Sequence, residues 1–126
     1  MNATNYDVVM QHMLEGAADK KLLLHACCAP CSTYCLTETA LKTNVTVFFY
    51  NPNMDSAQEY EKRLAELERL LKETLQADVI ETGYRSQDFA AICAGFEDAP
   101  EGGARCERCF RLRLFETARL AKEGGY

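Results

Sequence analysis

The sequence lacks the features of membrane and secreted proteins. None of its 126 residues lies in an apolar stretch approaching the roughly 18 residues of a membrane-spanning helix, which predicts a soluble protein with no membrane association. Residues 1–13 are polar and show no basic flank before an apolar run, so they do not have the pattern of a signal peptide. Repeats, low-complexity tracts and linkers are also missing, and the length is that of one domain. These absences predict a single cytoplasmic domain.

The chain has fewer basic than acidic residues. The net charge of −5 argues against a generally basic nucleic-acid-binding protein. The arginines, however, are unevenly distributed, since five of the eight fall within the fifteen residues from 105 to 119. Because the acidic residues are spread more evenly, this segment can form a local basic stripe on an acidic protein.

Short apolar runs alternate with helical patterns along the chain. The runs predict strands at 22–26, 45–50 and 78–81. The helical patterns lie at 31–42, after 56, at 87–94 and at 104–123, and follow a polar helical leader at 1–20. This order predicts one α/β domain, residues 1–126, with a small open parallel sheet and helical crossovers in a Rossmann-like three-layer arrangement. Glycines stop the last helix where another strand would be expected, so we expect a minimal or C-terminally truncated version of a longer protein.

Two of the helices have clear positional patterns. Ser56 and Glu59 have the spacing of a capping box, in which the hydroxyl and the carboxylate each satisfy a free backbone N–H, and Asp55 is expected to belong to the same cap. The helix that follows has an apolar stripe at spacings of four and three residues, formed by Tyr60, Leu64, Leu67, Leu71 and Leu75. The last helix has apolar residues along one side, at Phe110, Leu114, Ala118 and Ala121.

Seven cysteines without a secretion signal need a chemical explanation. The count is odd, so disulfides alone cannot use them all. In a reducing cytosol, clustered cysteines are more often metal ligands or redox catalysts than structural bridges. Cys27, Cys28 and Cys31 lie where the first strand ends and the next helix begins, which is the edge at which open parallel sheets bind ligands.

A second group, Cys106 and Cys109, has C-x-x-C spacing in the first turn of the last helix. Backbone N–H groups at a helix start stabilise thiolates, so both groups can supply metal ligands if the fold brings them together. Their spacing does not distinguish iron from zinc, since both accept four thiolates. Cys35 and Cys93 are interpreted as packing residues, because one follows Cys31 by a helical turn and the other lies in an apolar segment.

A redox interpretation competes with metal binding. The segment 28–31, Cys-Ala-Pro-Cys, follows a strand and resembles the C-x-x-C of thioredoxin-like proteins, in which a thiolate of low pKa attacks a disulfide. That interpretation leaves three of the clustered thiols without a role. The sequence also has no later proline at the start of a strand, which the thioredoxin-like pattern would require.

The chain resembles the epoxyqueuosine reductases of the QueH type. The resemblance extends from about residue 22 to the end and rests on LHACCAPC at 24–31, FFYNPN at 48–53, EYxxRL at 59–64 and EGGxRCxxCFxLRL at 101–114. It implies an enzyme that removes the epoxide oxygen of epoxyqueuosine at the wobble position of tRNA, giving queuosine. It also implies a [4Fe-4S] cluster held by Cys27, Cys28, Cys106 and Cys109, with Cys31 as a candidate ligand for an additional iron.

Other residues are candidates for proton transfer and substrate binding. No nucleotide-binding glycine pattern is present, so we expect an external protein to donate the electrons. His25 is a candidate proton donor, Asn51 could orient the substrate or cap its turn, and Tyr50 could pack in the core or stack on a base. Contacts with tRNA phosphates are expected from Arg105, Arg108 and Arg113, although a solvated helix face is the commoner role for such residues.

Overall fold

A computed structural model describes residues 3–126 and confirms the α/β fold. The two residues before them belong to the predicted leader and lie outside the described part. The elements in chain order are α1 (Tyr6–Leu14), β1 (Lys21–His25), α2 (Ala29–Ala40), β2 (Asn44–Phe49), α3 (Ala57–Leu70), β3 (Asp78–Glu81), α4 (Ser86–Cys93) and α5 (Ala104–Gly124). A π-helical turn, Leu71–Leu75, follows α3. No helix among these is both long and apolar enough to span a membrane.

The three strands form one parallel sheet in the order β1-β2-β3. Leu24 is opposite Val47 across the first pair of strands, and Phe48 is opposite Ile80 across the second. Because the strands are parallel, the carboxyl ends of β1 and β2 lie side by side. The segments that follow these two strands therefore meet at one edge of the sheet.

Alternate residues of β2 point to opposite faces of the sheet, and each face has its own core. Val47 and Phe49 are fully buried in a cluster with residues of α2 and α3, including Leu36, Tyr60 and Leu67. On the opposite face, Phe48 and Tyr50 pack with residues of β1 and α5, including Leu23, Leu112 and Leu120. The sheet therefore lies between two helical layers, as the sequence predicts.

The start of α3 confirms half of the capping box. The hydroxyl of Ser56 accepts a hydrogen bond from the backbone N–H of Glu59 at 3.1 Å. The Glu59 carboxylate does not return to the cap, because it is paired with Arg63 Nε at 2.6 Å. The apolar stripe is confirmed, since Tyr60, Leu64, Leu67 and Leu71 are all buried. Asp55 is not the cap either, and Ser56 alone has that role.

The predicted apolar side of α5 packs only in part. Ala121 packs against the sheet together with Leu112 and Leu120, whereas Phe110 and Leu114 are 58% and 61% exposed. Periodicity shows that α5 has apolar rows, but the crossing of the helix over β1 decides which row faces the sheet.

The interpretation of Cys35 as a packing residue is wrong, because the face of α2 on which it lies is exposed. Cys93, interpreted in the same way, is buried.

Candidate metal centre

Three thiols meet where β1 ends and α2 begins. The sulfur atoms of Cys27, Cys28 and Cys31 all lie within 4.8 Å of one another, the closeness needed to bind one metal ion. Cys28 occupies the N-cap of α2. Pro30 has no backbone N–H, but it lies in the first turn of the helix, where N–H groups have no intrahelical partner. Cys28 is buried, Cys27 is half-buried and Cys31 is exposed, so the group faces solvent on one side.

The three thiols do not ionise alike. Burial opposes ionisation of Cys28, but hydrogen bonds donated by the thiol and the backbone N–H of Cys31 stabilise its thiolate and lower its pKa overall. Donation of this hydrogen bond to Cys28 raises the pKa of Cys31 to about 11. Burial, and then the neighbouring charge of Cys28, raise the pKa of Cys27. The group thus favours one thiolate, and a bound cation would be needed to ionise all three.

Two arginines bring positive charge to the thiols from opposite layers. Arg63 of α3 is within electrostatic range of Cys27 and Cys28 and favours the ionised form of Cys28. From α5, Arg113 opposes part of the rise in the pKa of Cys27. Such charges stabilise anionic thiolate ligands.

Cys106 and Cys109 lie at the start of α5. Cys106 is in the first turn, where its sulfur accepts a hydrogen bond from the backbone N–H of Gly102 at 3.3 Å. Cys109 is the sixth residue of the helix and therefore lies in the second turn, not in the first as the spacing alone suggested. Burial raises the pKa of the Cys109 thiol, and the nearby charge of Arg113 opposes that rise.

The two cysteine groups lie on elements that pack together, since α5 lies against β1. Arg113 lowers the pKa of one thiol in each group, Cys27 and Cys109, so its guanidinium is within electrostatic range of both groups. Within residues 3–126, however, neither Cys106 nor Cys109 belongs to the compact group formed after β1. Four cysteines that bind a single metal ion must have their sulfur atoms around one point, whereas in an iron–sulfur cluster each iron binds its own thiolate. The four-cysteine ligand set therefore stays a prediction.

The predicted residues at the ends of β1 and β2 link the two strands. His25 Nε2 donates to the carbonyl oxygen of Tyr50 at 2.7 Å, and burial lowers the pKa of the imidazole. Asn51 Nδ2 donates to the carbonyl oxygen of Ala26 at 2.9 Å. Because Ala26 directly precedes Cys27, these bonds hold the cysteine-bearing turn against β2. Catalytic roles for His25, Tyr50 and Asn51 stay predictions.

Tyr50 is not available to stack on a base. It is 2% exposed, its ring stacks on Phe48 with 5.9 Å between centroids, and its hydroxyl donates to Asp88 Oδ2 at 2.7 Å. Burial and this hydrogen bond raise the pKa of the phenol. Tyr50 therefore anchors α4 to the carboxyl edge of the sheet.

The predicted phosphate-binding arginines all contact the protein itself. Arg105 donates to the carbonyl oxygen of Glu97 at 3.0 Å. Arg108 donates to the carbonyl oxygen of Ile92 at 3.3 Å, with its guanidinium 4.1 Å from the Phe96 ring centroid. These contacts fasten the loop between α4 and α5. A role in binding tRNA stays a prediction.

The comparisons with known proteins agree with the motifs. A family model described as epoxyqueuosine reductase QueH matches residues 22–126. The chain belongs to this family. Proteins named epoxyqueuosine reductase QueH are 36% identical in Streptococcus pyogenes, 38% in Haemophilus influenzae and 32% in Thermotoga maritima. These alignments cover 97%, 84% and 83% of this chain and 51%, 43% and 54% of the relatives. The chain thus spans about half the length of the curated relatives it matches.

The region that matches the QueH family begins at β1 and contains both cysteine groups, while α1 precedes it. Sequence reasoning found the three cysteines that meet after β1 but assigned no role to Arg63. The only available signal was its place in the EYxxRL motif, and that motif does not reveal that α3 brings this side chain to the thiols.

A cavity beside α5 was also missed. It has a volume of about 450 Å³, and its lining includes Asp55, Phe89, Glu101, Cys106, Cys109 and Phe110. These residues come from the turn after β2, from α4, from the loop before α5 and from the start of α5. Only the fold brings them together, so no spacing in the sequence could have indicated the cavity.

Proposed function

We propose that this chain acts in the cytoplasm as an epoxyqueuosine reductase, or as the metal-binding domain of one. The reaction is the reductive removal of the epoxide oxygen of epoxyqueuosine in tRNA to give queuosine. The observation that carries the proposal is the convergence of three thiols within 4.8 Å at the carboxyl end of β1, in a chain of the QueH family. The electrons come from an external donor protein.

The donor set fits an iron–sulfur cluster. We assign Cys27, Cys28, Cys106 and Cys109 as ligands of a [4Fe-4S] cluster, and Cys31 as a candidate ligand for an additional iron. All of these donors are thiols, which such clusters prefer. The start of α2, the start of α5 and the two arginines all favour thiolates there. When bound, the cluster would supply electrons one at a time.

The remaining residues of the site would position this turn and the substrate. His25 and Asn51 hold the cysteine turn through hydrogen bonds of 2.7 and 2.9 Å, and His25 is also the candidate proton donor. Tyr50 would help to position α4, because its hydroxyl donates a hydrogen bond to Asp88 of that helix. The arginines of α5 would add favourable contacts with tRNA phosphates where their guanidinium groups reach solvent.

Metal content tests the cofactor assignment. Anaerobic reconstitution with iron and sulfide should load about four irons per chain, with matching sulfide. Serine at any of the four assigned ligand positions should lower this content, whereas Cys35→Ser, at an exposed thiol outside the assigned set, should not. Full cluster content in all four ligand variants would reject the assignment. Zinc without iron in the native protein would favour a structural zinc module instead.

The reaction needs a separate test. Protein with a reduced cluster is incubated with tRNA containing epoxyqueuosine, and the nucleosides are analysed by mass spectrometry. Loss of one oxygen from the modified nucleoside is expected. An unchanged nucleoside in the presence of an intact, reduced cluster would reject the proposed activity for this chain.

One observation favours a second candidate function. The pKa of the Cys28 thiol is lowered, while that of Cys31 is raised to about 11, a division that suits a thioredoxin-like attacking thiol and its partner. Such an enzyme would reduce disulfides, and Cys28→Ser would abolish that activity without changing metal content. The metal-binding proposal accounts for more of the thiols and stays the first choice.

A further inference from the structure

The cavity beside Cys106 and Cys109 has the features of a ligand site. Its volume of about 450 Å³ lies within the range typical of small-molecule pockets. Phe89 of α4 and Phe110 of α5 both contribute to its lining. Phe110 is 58% exposed, and the guanidinium of Arg113 lies 4.9 Å from its ring centroid. An aromatic ring left open to a cavity provides a surface on which a flat ligand can stack.

Oxygen acceptors accompany the aromatic rings. Asp55 and Glu101 line the cavity, and neither carboxylate forms an ion pair in the described part of the chain. Arg105 and Arg113 line the same cavity and offer guanidinium N–H donors. The cavity therefore suits a flat molecule that carries both hydrogen-bond donors and acceptors along its edge.

The aromatic wall is held in place before any ligand arrives. Asp88, next to Phe89, accepts the hydrogen bond from buried Tyr50 at 2.7 Å. Arg108 of α5 donates to the carbonyl oxygen of Ile92 at 3.3 Å, which ties the end of α4 to α5. Because both helices are fastened, Phe89 and Phe110 need little reorganisation on binding. Such preorganisation increases affinity.

We propose that this cavity binds the nucleobase of the modified nucleoside, unstacked from the RNA. Phe89 and Phe110 would stack on the base. Asp55 and Glu101 would accept hydrogen bonds from its N–H groups, and Arg105 and Arg113 would donate to its carbonyl oxygen and ring nitrogens. A nucleobase has flat apolar faces and a hydrogen-bonding edge, which matches both parts of the lining. The inference rests on the proposed function, since it places the substrate against the two cysteines of α5.

Binding of a short fluorescent stem-loop RNA tests the proposal without any reductant. One RNA has guanine at the first anticodon position, a second has unsubstituted purine there, and a third is abasic. Wild-type protein should bind the guanine RNA about tenfold more tightly than the purine RNA, which lacks edge N–H donors. Phe89→Ala and Phe110→Ala should each weaken binding of the guanine RNA by about fivefold to 100-fold and leave the abasic RNA unaffected.

Phe115→Ala is the matched control, since Phe115 lies on α5, is 71% exposed and is outside the cavity lining. The chain has no tryptophan, so Phe89→Trp also introduces the protein's one tryptophan, whose selectively excited emission the guanine RNA should quench. Equal wild-type affinity for the guanine and abasic RNAs would overturn the proposal. So would a loss in Phe110→Ala no larger than in Phe115→Ala.

These outcomes are separable from those for the reaction. Base-selective binding without oxygen removal would reject the proposed activity and support the cavity as a base site. Oxygen removal with no effect of Phe89 or Phe110 on base selectivity would reject the cavity proposal alone.

Discussion

Asn51→Asp isolates the hydrogen bond that ties the cysteine turn to β2. Asn51 is 0% exposed, and its Nδ2 donates to the carbonyl oxygen of Ala26 at 2.9 Å. An aspartate has almost the same shape. When ionised it offers only acceptors to that carbonyl, but when protonated it can donate a hydrogen bond in place of Nδ2. The variant should therefore resemble the wild type only at pH values where the new carboxyl is neutral.

The expected magnitude follows from proton linkage. Burial and the facing carbonyl raise the pKa of the introduced carboxyl above the value of about 3.9 in an unfolded chain. Between these two pKa values, the folded variant holds a proton that the unfolded chain has released. Its stability therefore falls as pH rises, by at most about 1.4 kcal/mol per pH unit. From pH 5 to pH 7 the variant should lose up to about 2.7 kcal/mol relative to wild type, out of a total of about 5–15 kcal/mol for a typical domain.

Urea unfolding of the reduced, metal-free protein at pH 5 and pH 7, followed by circular dichroism, measures this difference. Asn51→Ala is the control, because it removes the hydrogen bond without adding a titratable group. It should cost about 2–3 kcal/mol at both pH values. The reasoning is refuted if the free energy of unfolding of Asn51→Asp, relative to wild type, is the same at pH 5 and pH 7.

Three further predictions follow from the site. Cys28→Ser should lower the metal content of the purified protein while Cys35→Ser leaves it unchanged, as measured by elemental analysis; equal content in both would contradict the ligand assignment. Metal ligation requires deprotonated thiols, and the pKa of Cys31 is raised to about 11. The affinity for Zn²⁺, measured in competition titrations, should therefore rise at least about tenfold from pH 7 to pH 8. An affinity that does not change with pH would exclude thiol ligands. Tyr50→Phe removes the hydrogen bond to a carboxylate of α4 and should lower the free energy of unfolding by about 1–2 kcal/mol. Tyr6→Phe is the control, since Tyr6 is 77% exposed, and it should leave this free energy unchanged. Equal effects of the two substitutions would contradict an anchoring role for Tyr50.

The pattern of elements was predictable because it depends on local chemistry. β-branched and aromatic residues at 45–50 indicate a strand, and the structure has one at Asn44–Phe49. The helix after Ser56 was predictable for the same reason, since both its cap and its apolar stripe are properties of neighbouring residues. Errors arose where a side chain had two available partners. Glu59 pairs with Arg63 instead of the cap, and the choice between them depends on geometry that spacing does not contain.

The site was predictable in part. The meeting of Cys27, Cys28 and Cys31 follows from their closeness in the sequence and from the turn between a strand and a helix. The approach of Arg63 and Arg113 from two different layers was not predictable, because each depends on how a helix is rotated against the sheet. The same rotation leaves Phe110 exposed in the cavity, although its spacing indicated an apolar row.

Residue types and separations of a few residues were enough to predict the alternation of strands and helices, the family and the three thiols that meet after β1. The packing of α5, the charges around the thiols and the residues that line the cavity became known from the three-dimensional arrangement alone. Those features join segments that are distant in the chain, and their positions depend on the packing of the two helical layers against the sheet. Short-range patterns contain no information about that packing.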